Sequence, residues 1–209
     1  MATLIVYNEG VHFTGCLQMV DHHLRQKLKD ENSVRWIVVG LHDALYAILI
    51  EKLTRTDGFG VFNDKFEAEA YKFYGTGQAS SSPDFEALCE KSSKENLAGI
   101  GKLLERANLG SNARVRASNI DSLERPSRGV SHLKKMRDFL AHPRPMLSGY
   151  YESWLLETLD DTLSVIKEVL QMPSSRSTRH DPREAEVLLS SIAYYLSVWR
   201  ARACSVREK

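Results

Sequence analysis

The chain has 209 residues, 43% of them hydrophobic and 26% charged, with a formal net charge of +1. That composition excludes a disordered chain and leaves enough apolar mass for one domain with a core. The near-neutral balance excludes nucleic-acid binding through total charge, so any such binding has to come from a local patch.

Three scattered cysteines, Cys16, Cys89 and Cys204, argue against a disulfide scaffold or a cysteine-based zinc site. The N-terminal stretch lacks the basic region and apolar run of a secretory signal, and no run of about 18 consecutive apolar residues reads as a membrane span. A cytoplasmic protein with no membrane partner is the expectation.

In chain order, residues 3–15, TLIVYNEGVHFTG, place β-branched and aromatic residues around NEG, which reads as a short β-hairpin. Residues 17–29 carry Leu17, Val20, Leu24 and Leu28 at helical spacing. In ENSVRWIVVGLHDALYAILIEKL, Ser33 reads as the N-cap. Trp36, Ile37, Val39, Leu41, Leu45, Ile48 and Leu49 wrap most of the way round, as in a central, buried helix. Gly40, Ala44 and Ala47 thin its surface for a neighbouring helix. FNDKFEAEAYKFYG reads as a shorter helix ending at Gly75. Pro83 after Ser82 opens the next one, which runs to Gly110 with a break near Gly99 and Gly101.

Residues 111–128 are polar and read as a flexible connection. A helix follows from about Val130 to Ala141. The next helix carries a stripe of Trp154, Leu155, Leu159, Leu163, Ile166, Val169 and Leu170. Residues 173–182 read as a second flexible connection. The last helix carries Leu188, Ile192, Tyr195, Leu196 and Trp199, the aromatics fitting a core or dimer interface, and RARACSVREK reads as a frayed tail. No repeat and no alternating strand–helix pattern occurs. The expected fold is all-α, an irregular up-and-down bundle forming one domain over residues 1–209, with a possible N-terminal hairpin.

The chemistry concentrates in HLKKMRDFLAHPRPM, residues 132–146. Pro143 disfavours helix in the residue before it, so His142 falls at a helix end. An imidazole there titrates near neutrality and can act as acid or base. Arg137 supplies planar donors for a phosphate that gains charge in a transition state. On an ideal helix Arg137 and His142 are about 140° apart, so one groove takes both only if the end unwinds or a partner helix closes it. Lys134 is positioned to pair with Asp138 or to extend a positive patch.

Arg137-Asp138-Phe139-Leu140-Ala141-His142, with an apolar face before it and Pro143 after it, resembles the HEPN superfamily signature of Arg, four to six residues, then His, with a polar residue after the Arg. The early helix RWIVVGLHDALYAILIEKL resembles the helix that packs on the motif helix in that family. The resemblance implies a homodimer whose motif helices face each other across a cleft. It also implies a metal-independent endoribonuclease acting as a toxin or antiviral defence effector, leaving a 2′,3′-cyclic phosphate and a 5′-OH. Arg137 would hold the phosphate, His142 would move protons and Asp138 would orient them. Lys134, Arg144, Arg114 and Arg116 are candidates for RNA phosphates. No cofactor or metal is expected.

A cognate antitoxin or defence-system partner fits this reading. The Tyr that some family toxins carry two residues after the His is Arg144 here, so silencing by modification of that Tyr is not implied. Arg125 and His132 repeat the spacing around Pro126 and Gly129 but lack the context. The alternative is a HEPN-like interaction module that binds a partner protein or nucleotide without catalysis. The DHH at residues 21–23 resembles a metal phosphoesterase motif without the strand that motif needs. His42-Asp43 resembles the paired ligands of HD phosphohydrolases without their further ligands.

Overall fold

A computed structural model of the chain describes residues 8–27, 30–75, 83–92, 94–109, 124–141, 150–174, 176 and 179–207. These form eight helices: α1 (Glu9–Gln26), α2 (Ser33–Leu53), α3 (Asp64–Gly75), α4 (Pro83–Ser92), α5 (Ile100–Arg106), α6 (Arg125–Ala141), α7 (Glu152–Gln171) and α8 (Pro182–Arg207). Among the described residues there is no strand, only an isolated antiparallel bridge between Phe62 and Leu97. The fold is all-α.

Helix α1 starts earlier than the apolar spacing alone places it. The NEG expected to turn a hairpin instead opens α1: the Asn8 side chain accepts from the Val11 amide at 3.0 Å. A side-chain acceptor at that position satisfies one of the orphan amides of the first turn. Residues 3–7 of the hairpin reading lie outside the described residues.

Helix α2 is the hub and packs on α1, α5, α6 and α7. It is long and apolar enough to cross a membrane by composition, but most of that stretch is buried against its neighbours. Gly40 permits the close approach of α1. A Cβ there would meet Met19 Cε and Val20 Cγ2 at 2.8 Å and the Cys16 carbonyl at 3.3 Å. Ser33 is the first residue of α2 rather than its cap, Asn32 takes the cap position without a side-chain bond, and Trp36 is exposed rather than buried.

The main core joins Phe13, Leu17, Leu45, Ile48, Leu103 and Leu133 with Leu159, Ile166 and Ile192. A second, aromatic cluster of Phe59, Phe66 and Leu88, with Phe62, Phe73 and Phe85 packed on it, ties α3 to α4. Asn63 Oδ1 accepts from the Phe66 amide at 3.0 Å to cap α3. Glu67 reaches back to the Gly60 and Phe62 amides at 2.7 and 2.9 Å. Gly60, at φ +108°, is required: a Cβ would lie 2.4 Å from the Leu53 carbonyl. The helix expected up to Gly110 divides into α4 and α5, and Gly99 stands at the α5 N-cap.

Two boundaries differ from the expectation, at the start of α6 and at the end of α8. The connection at residues 111–128 is shorter, because α6 begins at Arg125; Pro126 lies in its first turn, where a missing amide hydrogen costs nothing. Near the end of the connection at residues 173–182, His180 is buried and its Nδ1 lies 2.8 Å from Glu51 Oε1. The expected frayed tail is helical to Arg207.

Candidate functional site

Helix α6 buries Val130, Leu133 and Met136, and it packs on α2 and α7. That stripe sets the directions of the remaining side chains. Arg137 falls on one flank of the buried face, and Arg125, Arg128 and His132 fall toward the other, by 3.6-residue periodicity. Asp138 stands between two cations. Its Oδ1 accepts from Arg137 Nη1 at 2.8 Å and its Oδ2 from Lys134 Nζ at 2.7 Å. Burial pushes the Asp138 carboxyl up, but the hydrogen bonds and charges of Lys134 and Arg137 outweigh it and hold the group below the usual carboxylate range.

The Arg137 side chain is 34% exposed and that of Asp138 41%. The guanidinium is therefore oriented by a neighbour and still open to solvent. Lys134 is occupied by Asp138, so the positive patch expected of it is partly neutralised. His142, Arg144, Arg114 and Arg116 lie outside the described residues.

The other candidates are absorbed by packing. His42 is buried, with Nδ1 2.9 Å from Asp43 Oδ1. Asp21 of the DHH accepts from Arg25 at 2.8 Å and from Ser191 at 2.6 Å, which fastens α1 to α8. No group of three or more His, Cys, Asp or Glu suited to a metal gathers among the described residues. The Cys16 sulfur lies 3.7 Å from His12 Nε2. Burial, with the nearby Asp43 charge, pushes that thiol up to about 12, so it is not a ready nucleophile.

Spacing along the sequence misses a second feature beside the motif. A groove of about 390 Å³ runs between α6 and α7, lined by Arg125, Arg128, His132, Trp154, Glu157 and Asp161 among others. Trp154, expected in the core stripe, is 56% exposed. Its ring lies nearly parallel to that of His132, at 17° and 6.1 Å between centroids. Tyr151 packs edge-on to it, and Tyr150 packs edge-on to Phe139. The aromatics at the start of α7 thus adjoin the motif helix, whereas Trp199 of α8 is core. Compared with known proteins, the chain matches no family model, no curated protein and no solved structure.

Proposed function

We propose that the chain is a metal-independent endoribonuclease of the HEPN type, its fold the HEPN-like irregular bundle, working as a cytoplasmic homodimer in toxin or antiviral defence. The observation that carries this reading is the Asp138-oriented, solvent-open guanidinium of Arg137 on the last turns of α6. The all-α fold and the packing of α2 against α6 agree with it. The remaining support is the resemblance of the Arg137–His142 motif.

The chemistry assigned to these residues is transesterification. A ribose 2′-oxygen attacks the adjacent phosphorus as its proton passes to a base, and the 5′-oxygen leaves with a proton from an acid. His142 serves as base or acid, the partner copy supplying its counterpart. Arg137 donates to the non-bridging oxygens as their charge grows, and Asp138 fixes its rotamer. The products are a 2′,3′-cyclic phosphate and a 5′-OH.

The test is incubation of purified protein with total RNA and tRNA in EDTA, beside R137A and H142A. Wild type is expected to cleave and both variants to lose more than about a hundredfold in rate while keeping the wild-type dimer. Cleavage by H142A at the wild-type rate would sink the assignment. No cleavage by any of the three would favour a non-catalytic interaction module.

A further inference from the structure

The groove between α6 and α7 holds unspent hydrogen-bonding capacity that the proposed cleavage chemistry does not use. Arg128 lines it with a buried Nε that has no hydrogen-bond partner among the described residues. A buried donor left unmade is costly, and a turn of the half-buried side chain into the groove would bring it to a ligand acceptor. On the facing helix Glu157 is exposed and has no hydrogen bond among the described residues. Trp154, one turn before Glu157, offers an exposed indole at the same groove. A cation on the α6 wall, with a carboxylate and a flat aromatic on the α7 wall, suits a planar ring with acceptors on one edge and donors on another.

We infer that this groove recognises a guanine base of single-stranded RNA. Trp154 stacks on the ring with the face it does not turn to His132, the Arg128 guanidinium donates to O6 and N7, and the Glu157 carboxylate accepts from N1–H and the N2 amino group. Guanine matches this set because its two acceptors stand side by side, as a guanidinium requires, and its two donors stand side by side, as a carboxylate requires. Adenine, cytosine and uracil lack one or both of those paired edges. Asp161 does not compete for the base, because its Oδ1 is held by Arg125 at 3.1 Å and its side chain rests against Gly129. Burial, reinforced by Asp160 and Glu157, also pushes its carboxyl up despite Arg125, leaving Glu157 as the open acceptor.

The source of the base follows from the rest of α6. Arg128 and Arg137 are nine positions apart, about 13 Å along the axis and on opposite flanks of α6, and the exposed side chain of Lys135 stands between them. A strand backbone running from the groove to Arg137 crosses the solvent face of α6 over Lys135. In naming RNA as the source, the inference rests on the ribonuclease reading. Recognition of guanine itself is separable from cleavage.

The experiment uses labelled five-nucleotide 2′-O-methyl RNAs, U-U-N-U-U with each of the four bases at N, read by fluorescence anisotropy in EDTA. The methyl groups block 2′-attack, so binding is measured whether or not the protein cleaves. The guanine oligonucleotide is expected to bind at least about tenfold tighter than the other three. E157Q, at an exposed position that leaves the fold intact, is expected to bring all four within twofold of each other. R128Q should also lose the preference, and H142A should keep it. Equal affinities for the four oligonucleotides, or a preference that survives E157Q, overturn the inference. Competition by guanosine monophosphate as strong as that by the guanine oligonucleotide would assign the site to free nucleotide and overturn RNA as its source.

Discussion

Asp138 and Asp161 lie on facing helices and respond to their surroundings in opposite senses. The Asp138 carboxyl is held below its ordinary range because Lys134 and Arg137 outweigh its burial. Its stabilising contribution is therefore full above the unfolded value near ~4 and lost as pH falls through the folded value. Being half-exposed, it is worth less than about 1 kcal/mol. Asp161 is raised, by burial first and by Asp160 and Glu157 besides, so its ionised form opposes folding once pH passes the folded value. D138N is expected to melt slightly below wild type at pH 7 and to converge with it toward pH 3. D161N is expected to melt above wild type at pH 7 and to lose that advantage below the carboxylate range. Thermal melts by circular dichroism between pH 3 and 7 separate the two. Equal shifts of the same sign would refute the placement of these carboxylates.

Glycine substitutions give helix-scale predictions of opposite sign. A Cβ at Gly15 of α1 would meet nothing within 4 Å, while one at Gly129 of α6 would sit 2.4 Å from Asp161 Cβ. Gly15→Ala should stabilise by about 0.5–1 kcal/mol through helix propensity. Gly129→Ala should destabilise by about 1–3 kcal/mol, because α6 and α7 must part. Chemical denaturation of the two variants checks both, and a stabilised G129A would contradict the close α6–α7 contact. Gly129 also shows where sequence reading stops. Together with Pro126 it reads as a breaker, and the sequence alone starts α6 near Val130; in the structure the proline occupies the first turn and the glycine meets a packing need set by another helix. The apolar stripes were legible, with Leu155, Leu159, Leu163, Ile166 and Val169 buried as spaced. Trp154 was not, because periodicity gives the direction of a side chain and not whether a neighbour covers it. Lys134, Arg137 and Asp138 could be read as a group because one helix carries them all. The groove takes its walls from two helices, so no local pattern announces it.

At the scale of the molecule, α1, α2 and the segment entering α8 meet at one buried pair. His180 Nδ1 meets Glu51 Oε1 at 2.8 Å, with side chains 3% and 4% exposed, and the Arg179 amide donates to the same oxygen at 3.3 Å. The Phe13 ring stands edge-on to His180 at 5.4 Å. Gly10 lies beneath the Arg179–His180 backbone, where a Cβ would come within 2.4 Å. The start of α1, the last turn of α2 and the segment entering α8 therefore share one point, which makes α8 part of the same cooperative unit as the helix that supports α6. His180→Ala would strand a carboxylate whose second oxygen already lacks a partner, at a cost of about 3–5 kcal/mol. Replacing both partners, as in E51M/H180L, removes the stranded charge and should recover most of that loss. Urea unfolding measures it: H180A is expected to lower the midpoint with an unchanged slope, and the double variant to return close to wild type. A cost under about 1 kcal/mol for H180A would mean the carboxylate finds water when its partner is gone, and the pair would then not be what fastens α8 to α2.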